Sequence, residues 1–215
     1  MGIFDLLWRL LGRRSAEPLT GLDPERTRLL VGLGNPGPEY LETRHNVGFR
    51  GVDELAQRFG AAWQNKTDSL SSLVAVIHPD EERTVVLAKP QMYMNRSGQA
   101  VKALLDFLNI DSSNALIIYD EMDLPFGVLR LRERGSPGTH NGMRSVVSGL
   151  GNDHIPRLRI GIGQGQPGEA TSHVLSEFAP EQRDAVDQLI DRAAEAALAW
   201  AEQGAEVAMN RYNKT

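Results

Sequence analysis

Hydrophobic positions along the 215-residue chain switch between two periods. Short, nearly unbroken apolar runs predict buried strands over Leu29–Gly34, Leu73–Ile77, Thr84–Ala88 and Ala115–Tyr119. The His78-Pro79-Asp80 segment between the second and third of these reads as a turn, so that pair is expected to form a hairpin. Every-other-residue alternation predicts half-exposed strands over Val128–Arg132 and Leu158–Ile162. Helical stripes lie between the strands: Phe49, Val52, Leu55, Ala56 and Phe59, then Val101, Leu104, Leu105 and Leu108, then Met143, Val146, Val147 and Leu150. A last helix starts near Pro180 and carries Val186, Leu189, Ile190, Ala193, Ala197 and Trp200 on one face. Strands interleaved with helices predict an α/β sandwich around a mixed, mostly parallel sheet. There is no internal repeat.

Residues 1–27 stand apart from this pattern. Phe4, Leu7, Trp8 and Leu11 fall at helical spacing, Arg9, Arg13 and Arg14 interrupt and follow them, and Pro18, Gly21 and Pro24 mark a linker. The apolar stretch is too short and too charged to span a membrane and lacks a cleavage site of small residues. It reads as an appendage that docks on its own domain or moves freely, in preference to a membrane-surface or partner helix, with residues 28–215 as the working domain.

Composition narrows the chemistry. Hydrophobic residues at 41% and charged residues at 24% are ordinary for a globular protein. The absence of cysteine removes disulfides, thiolate zinc sites, iron–sulfur clusters and thiol nucleophiles. The net charge of −5 taken whole opposes a phosphate-rich partner. Its distribution changes that: residues 126–165 carry six arginines against only Glu133 and Asp153, a basic island in an acidic chain.

Candidate chemistry gathers where strands end. Gly32-Leu33-Gly34-Asn35-Pro36-Gly37 has the G-x-G-x-x-G spacing of dinucleotide sites. However, Pro38 stands where the helix should begin, and the next strand's acid, Asp80, comes far too late for a ribose. The segment reads better as a tight turn with Asn35 at its apex. His45, just before the first helix, is a candidate general base. Asp120, Glu121 and Asp123 follow the strand Ala115–Tyr119, and read as a partner for His45, a solvated acidic loop or a divalent-metal site. In Tyr93–Gly98, Asn95 or Ser97 caps the next helix, or Asn95 aims its amide into the same cleft. The glycine-rich loop Arg134–Gly142 precedes a helix and suits phosphate. Arg130 and Arg132 share one face of their strand, as do Arg157 and Arg159, which together suggest a phosphate track. There is no G-x-S-x-G elbow, H-E-x-x-H pair or P-loop lysine motif, and His78, His154 and His173 lack partner spacing. Histidine, aspartate and asparagine together suit water activation and amide recognition without a cofactor.

Six segments in order carry a resemblance: Leu33–Tyr40, Thr43–Gly48, Met94–Gly98, Asp120–Pro125, Gly138–Gly142 and Arg157–Gly163. Together they resemble the bacterial-type peptidyl-tRNA hydrolase family from about Leu29 to the last helix. Thr139 departs from the family's usual glycine, and Pro137 is unusual there. The resemblance implies a single three-layer α/β/α domain, monomeric and cytoplasmic, that uses no metal and no cofactor. It implies hydrolysis of the ester between a peptide and the 3′ end of tRNA. His45 would activate water, Asp120 would stabilise the imidazolium, and Asn35 and Asn95 would bond the carbonyl or adjacent amide. Tyr40, Tyr93, Asn95, His140 and Asn141 match positions at the tRNA end, and Arg132 and Arg159 match basic positions facing phosphate. The rival expectations are a structured-RNA binding protein without hydrolysis, a dinucleotide enzyme, and a metal hydrolase built on His45, Asp120 and His140.

Overall fold

In the computed structural model, which describes residues 16–213, the apolar runs form the inner strands of a seven-stranded sheet. The strands are β1 (Thr27–Gly32), β2 (Gln64–Lys66), β3 (Ser72–Ile77), β4 (Thr84–Pro90), β5 (Ala115–Glu121), β6 (Leu129–Arg132) and β7 (Arg157–Gly161). Their order across the sheet is β2-β3-β4-β1-β5-β7-β6. Four adjacent strands, β4, β1, β5 and β7, are mutually parallel, with Val31 level with both Ala88 and Ile117. The pairs β2–β3, β3–β4 and β6–β7 are antiparallel, which includes the hairpin expected around His78.

Helices cover both faces, which is why the inner strands are apolar without alternation. On one face, Leu30, Leu116, Ile118 and Leu158 pack with helices α1 (Val47–Arg58), α6 (Arg183–Gln203) and α7 (Ala205–Tyr212). On the other, Leu29, Val31, Ile117 and Tyr119 pack with α3 (Ser97–Leu108) and α4 (Asn141–Leu150). Two short helices, α2 (Thr67–Leu70) and α5 (Ala170–Leu175), and several single-turn segments lie between these elements. The result is the three-layer α/β/α sandwich. Its helical stripes fall where periodicity placed them, except that Gly204 divides the last helix in two.

A close approach brings α1 onto the sheet. A Cβ at Gly48 would come within 2.3 Å of the Ile118 carbonyl oxygen, and one at Gly32 within 2.2 Å of the Gly48 carbonyl oxygen. Only glycine at both positions lets the start of α1, and the turn before it, sit directly over the ends of β1 and β5.

The described part of the N-terminal segment docks on the domain. Leu19 is buried in the core beneath α3, the Glu17 carbonyl accepts from the Gln64 side chain, and the Glu17 carboxylate meets His78 Nε2 at 2.8 Å. The helical pattern over Phe4–Leu11 lies outside the described residues. At the far edge, β6 is met by a side chain: Asn213 Oδ1 accepts from the Leu131 N–H at 2.6 Å, and its Nδ2 donates to the Leu131 carbonyl at 3.1 Å.

Arg157 departs from the expected outward basic face. It is only 2% exposed. Its Nε donates to Ile155 O at 3.0 Å, its Nη2 to Asp153 O at 2.9 Å and its Nη1 to the carbonyls of Gly135 and Ser136. The guanidinium fork therefore staples the glycine-rich loop to the turn before β7. Arg157→Ala is expected to cost about 3 kcal/mol in urea unfolding, because one buried and three partly buried carbonyls lose a charged donor together. A loss below about 1 kcal/mol would show that the loop holds without it.

Candidate active site

The parallel strands deliver their carboxyl ends to one side of the sheet, where open α/β sheets place their ligands. From β1 come Asn35 and, one turn later, His45. From β4 comes the single-turn segment Met94–Arg96, with Asn95. Asp120 is the penultimate residue of β5, so it is a strand residue rather than part of the loop, 1% exposed. These groups line a cavity of about 390 Å³ together with Tyr93, Met122, His140, Asn141 and one side of α5.

Two rings converge on a single carboxylate oxygen. His45 Nδ1 lies 2.8 Å from Asp120 Oδ1, and His140 Nε2 lies 2.9 Å from the same atom. The tautomers follow from the remaining partners. His140 Nδ1 accepts the Met143 N–H at 3.1 Å and caps α4, so its Nε2 carries the proton given to Asp120. His45 Nδ1 likewise donates to Asp120, which leaves Nε2 as its lone-pair nitrogen. Burial would push the Asp120 carboxyl upward, but the hydrogen bonds from His140 and His45, together with the charge those rings carry when protonated, outweigh it and hold the group well below the usual carboxylate range. Asp120 is thus a permanent anion behind His45. The Tyr119 ring packs on His140 at 4.6 Å between centroids, and burial pushes its phenol up to about 12, so it stays neutral.

The donor atoms of His45, Asp120 and His140 lie within 4.8 Å of one another, a spacing that also suits a metal ion. The set does not fit one. The Met143 N–H occupies the His140 Nδ1 lone pair, so Nε2 bears hydrogen and has no lone pair to offer.

A second network ties the loops together. Asn46, 1% exposed, accepts the Asn35 N–H at 2.8 Å and donates to the Asn35 carbonyl at 3.0 Å. Asn35 Oδ1 in turn accepts the Met94 N–H at 2.8 Å. Its oxygen being engaged, Asn35 presents Nδ2 as a donor. Asn95 does not cap α3, and Ser97 bonds back to the Met94 carbonyl, which leaves the Asn95 amide exposed at the cavity rim.

Residues 29–215 match the profile of a family described as peptidyl-tRNA hydrolase. The peptidyl-tRNA hydrolase of Chloroflexus aggregans is 50% identical over 188 residues, spanning 86% of this chain and 98% of the relative. That of Halalkalibacterium halodurans is 43% identical over 187 residues, spanning 86% of this chain and all of the relative. The crystal structure of peptidyl-tRNA hydrolase from Acinetobacter baumannii matches with a TM-score of 0.81 at 36% identity, covering 90% of this chain and 97% of that one. This chain belongs to the peptidyl-tRNA hydrolase family.

Against the positions that this family resemblance singled out, the geometry divides them. His45, Asp120, Asn35, Asn95, Tyr93, His140 and Asn141 share the cavity, whereas Tyr40 is not among its lining residues. His140 lines the cavity and is also the second donor to Asp120. Arg132 is exposed on β6. Arg159 is committed to Glu121, with Nε and Nη2 at 2.9 Å and 2.8 Å from Oε2. Sequence reasoning missed Asn46. Its only signal was its place beside His45 in the Thr43–Gly48 segment.

Proposed function

We propose that the chain hydrolyses the ester joining a peptide to the 3′-terminal ribose of tRNA, with water activated by His45 Nε2. The observation that carries this reading is the His45–Asp120 bond, which leaves one imidazole nitrogen free within a cavity rimmed by amides. In the reaction, His45 takes a proton from water as its oxygen attacks the ester carbonyl. Asp120 offsets the imidazolium charge. The Asn35 Nδ2 donates to the carbonyl oxygen as it gains charge. Collapse breaks the bond to the 3′ oxygen, which takes the proton back from His45, and the free acid and tRNA leave. Asn95 and Asn141 supply amides that match an acylated nitrogen better than a free ammonium, which would spare aminoacyl-tRNA.

The test is turnover of an N-acetylated aminoacyl-tRNA beside the unblocked ester. Release from the blocked ester alone is expected. Tight tRNA binding with no release would favour the RNA-binding reading instead. The proposal carries with it a monomeric, cytoplasmic enzyme that needs no metal and whose working domain is residues 28–215. Among the described residues no helix is long and apolar enough to cross a membrane.

The basic island gives a further expectation. Arg132→Ala should lower the slope of log affinity against log salt by about 1 in tRNA binding titrations. Arg159→Ala should lower it less, because Glu121 already offsets that charge. Equal slopes for the wild type and Arg132→Ala would remove Arg132 from the phosphate track.

A further inference from the structure

The cavity has two walls of different character. The turn bearing Asn95 packs on α4, while α5 packs on the turn bearing His45. The α5 wall presents Ala170, Thr171, Val174 and Leu175, with Met122 beside them, and among the described residues no cationic side chain lines it. It therefore suits an acyl chain and not a phosphate. Yet α5 has no buried residue of its own, and of its side chains Val174 packs, partly buried, against the core.

Polar pins add to that limited packing. On one side, His173 Nε2 donates to the Gly163 carbonyl at 2.9 Å. Past its last turn, the chain is fastened to the residues just before His45. Thr43 pairs with Glu177 as an isolated antiparallel bridge, and the Arg44 N–H donates to Ser176 O at 3.0 Å. Arg44 Nη1 donates to Ser176 Oγ at 2.7 Å and to the carbonyls of Ser176 and Glu177. The guanidinium also stacks 4.7 Å over the Phe178 ring, and its burial lowers its pKa without removing the charge. Its neighbour in sequence is the proposed base.

We propose that Arg44 is a positioning residue that sets affinity for the acyl part of the substrate, by fixing the α5 wall against the His45 turn. The inference rests on the hydrolase reading. Arg44 touches no reacting atom. Its loss releases one wall and leaves the bond between His45 and Asp120 in place. A merely structural role would change all substrates alike, whereas a wall changes those that reach it.

The experiment compares two esters of the same tRNA, one carrying N-acetylglycine and one carrying N-acetyl-trileucine. Arg44→Ala is expected to raise KM about tenfold for the trileucyl ester and less than about twofold for the glycyl ester, with kcat nearly unchanged on both. Arg44→Lys should behave like the alanine variant, since lysine lacks the planar fork and its stacking. Ser176→Ala, which removes one acceptor of Arg44 and the hydroxyl's own bond to the His173 carbonyl, should shift the KM ratio the same way by about threefold and guards against a misfolded Arg44 variant. An equal rise on both esters, a fall in kcat with KM unchanged, or full rescue by lysine would overturn the proposal. If the wild type cleaves neither ester, the hydrolase reading fails separately. Dissociation constants of the two intact esters in a His45→Ala background then still read the wall, and the same selective weakening is expected on adding Arg44→Ala.

Discussion

His45→Ala is expected to lower kcat on N-blocked aminoacyl-tRNA by about 10³-fold, the range that general-base assistance supplies. Affinity for tRNA should change little, because the residues that face the nucleic acid are left alone. The fold should survive. His45 is buried, but it gives up one hydrogen bond, and Asp120 keeps His140 as a donor. Single-turnover rates and a melting curve on the same preparation decide the matter. A folded variant with wild-type turnover would remove His45 from the reaction.

Asp120→Asn is expected to reduce kcat by a similar or larger factor, about 10³–10⁴, with KM nearly constant. The amide keeps the size of the carboxylate but loses its charge and part of its accepting capacity. If its NH2 faces His45, Nδ1 must become the acceptor and Nε2 carries the proton, so the base is blocked by the wrong tautomer. The substitution also has a signature in stability. The folded carboxyl titrates below its unfolded value of about 4. Its contribution is complete above that value and fades as pH falls toward the folded one. Wild-type stability should therefore decline more steeply below about pH 4 than that of Asp120→Asn in urea titrations. Parallel curves would show that the anion is not a stabilising group.

The fold was legible wherever burial imposed a period. β1 and β5 are enclosed by helices, so their apolar runs announced them. β2 is Gln64–Lys66, wholly polar, and exists because its backbone pairs with β3, a fact no side-chain pattern carries. α5 escaped for the same reason that makes it interesting, since a helix with no buried residue has no apolar stripe. In the site, His45 and Asp120 were legible because strand ends mark ligand positions in such sheets. The second ring on Asp120 was not, since nothing in the Gly138–Gly142 spacing says how deeply His140 sits. Arg157 misled for a physical reason. Alternation gives the face of a strand, but the carbonyls that bury its charge come from the Gly135 loop and the turn at Asp153, which only the tertiary fold brings together.

The Asn213 amide on β6 has a consequence for how this molecule lives among copies of itself. A sheet that ends in an unpaired strand is a template, and any extended chain can add to it. Here one side chain fills both open backbone groups of Leu131, as the next strand would. The other margin is guarded differently, by a strand only three residues long. A hydrolase whose substrate carries a peptide thereby offers that peptide less open strand edge on which a growing sheet could start.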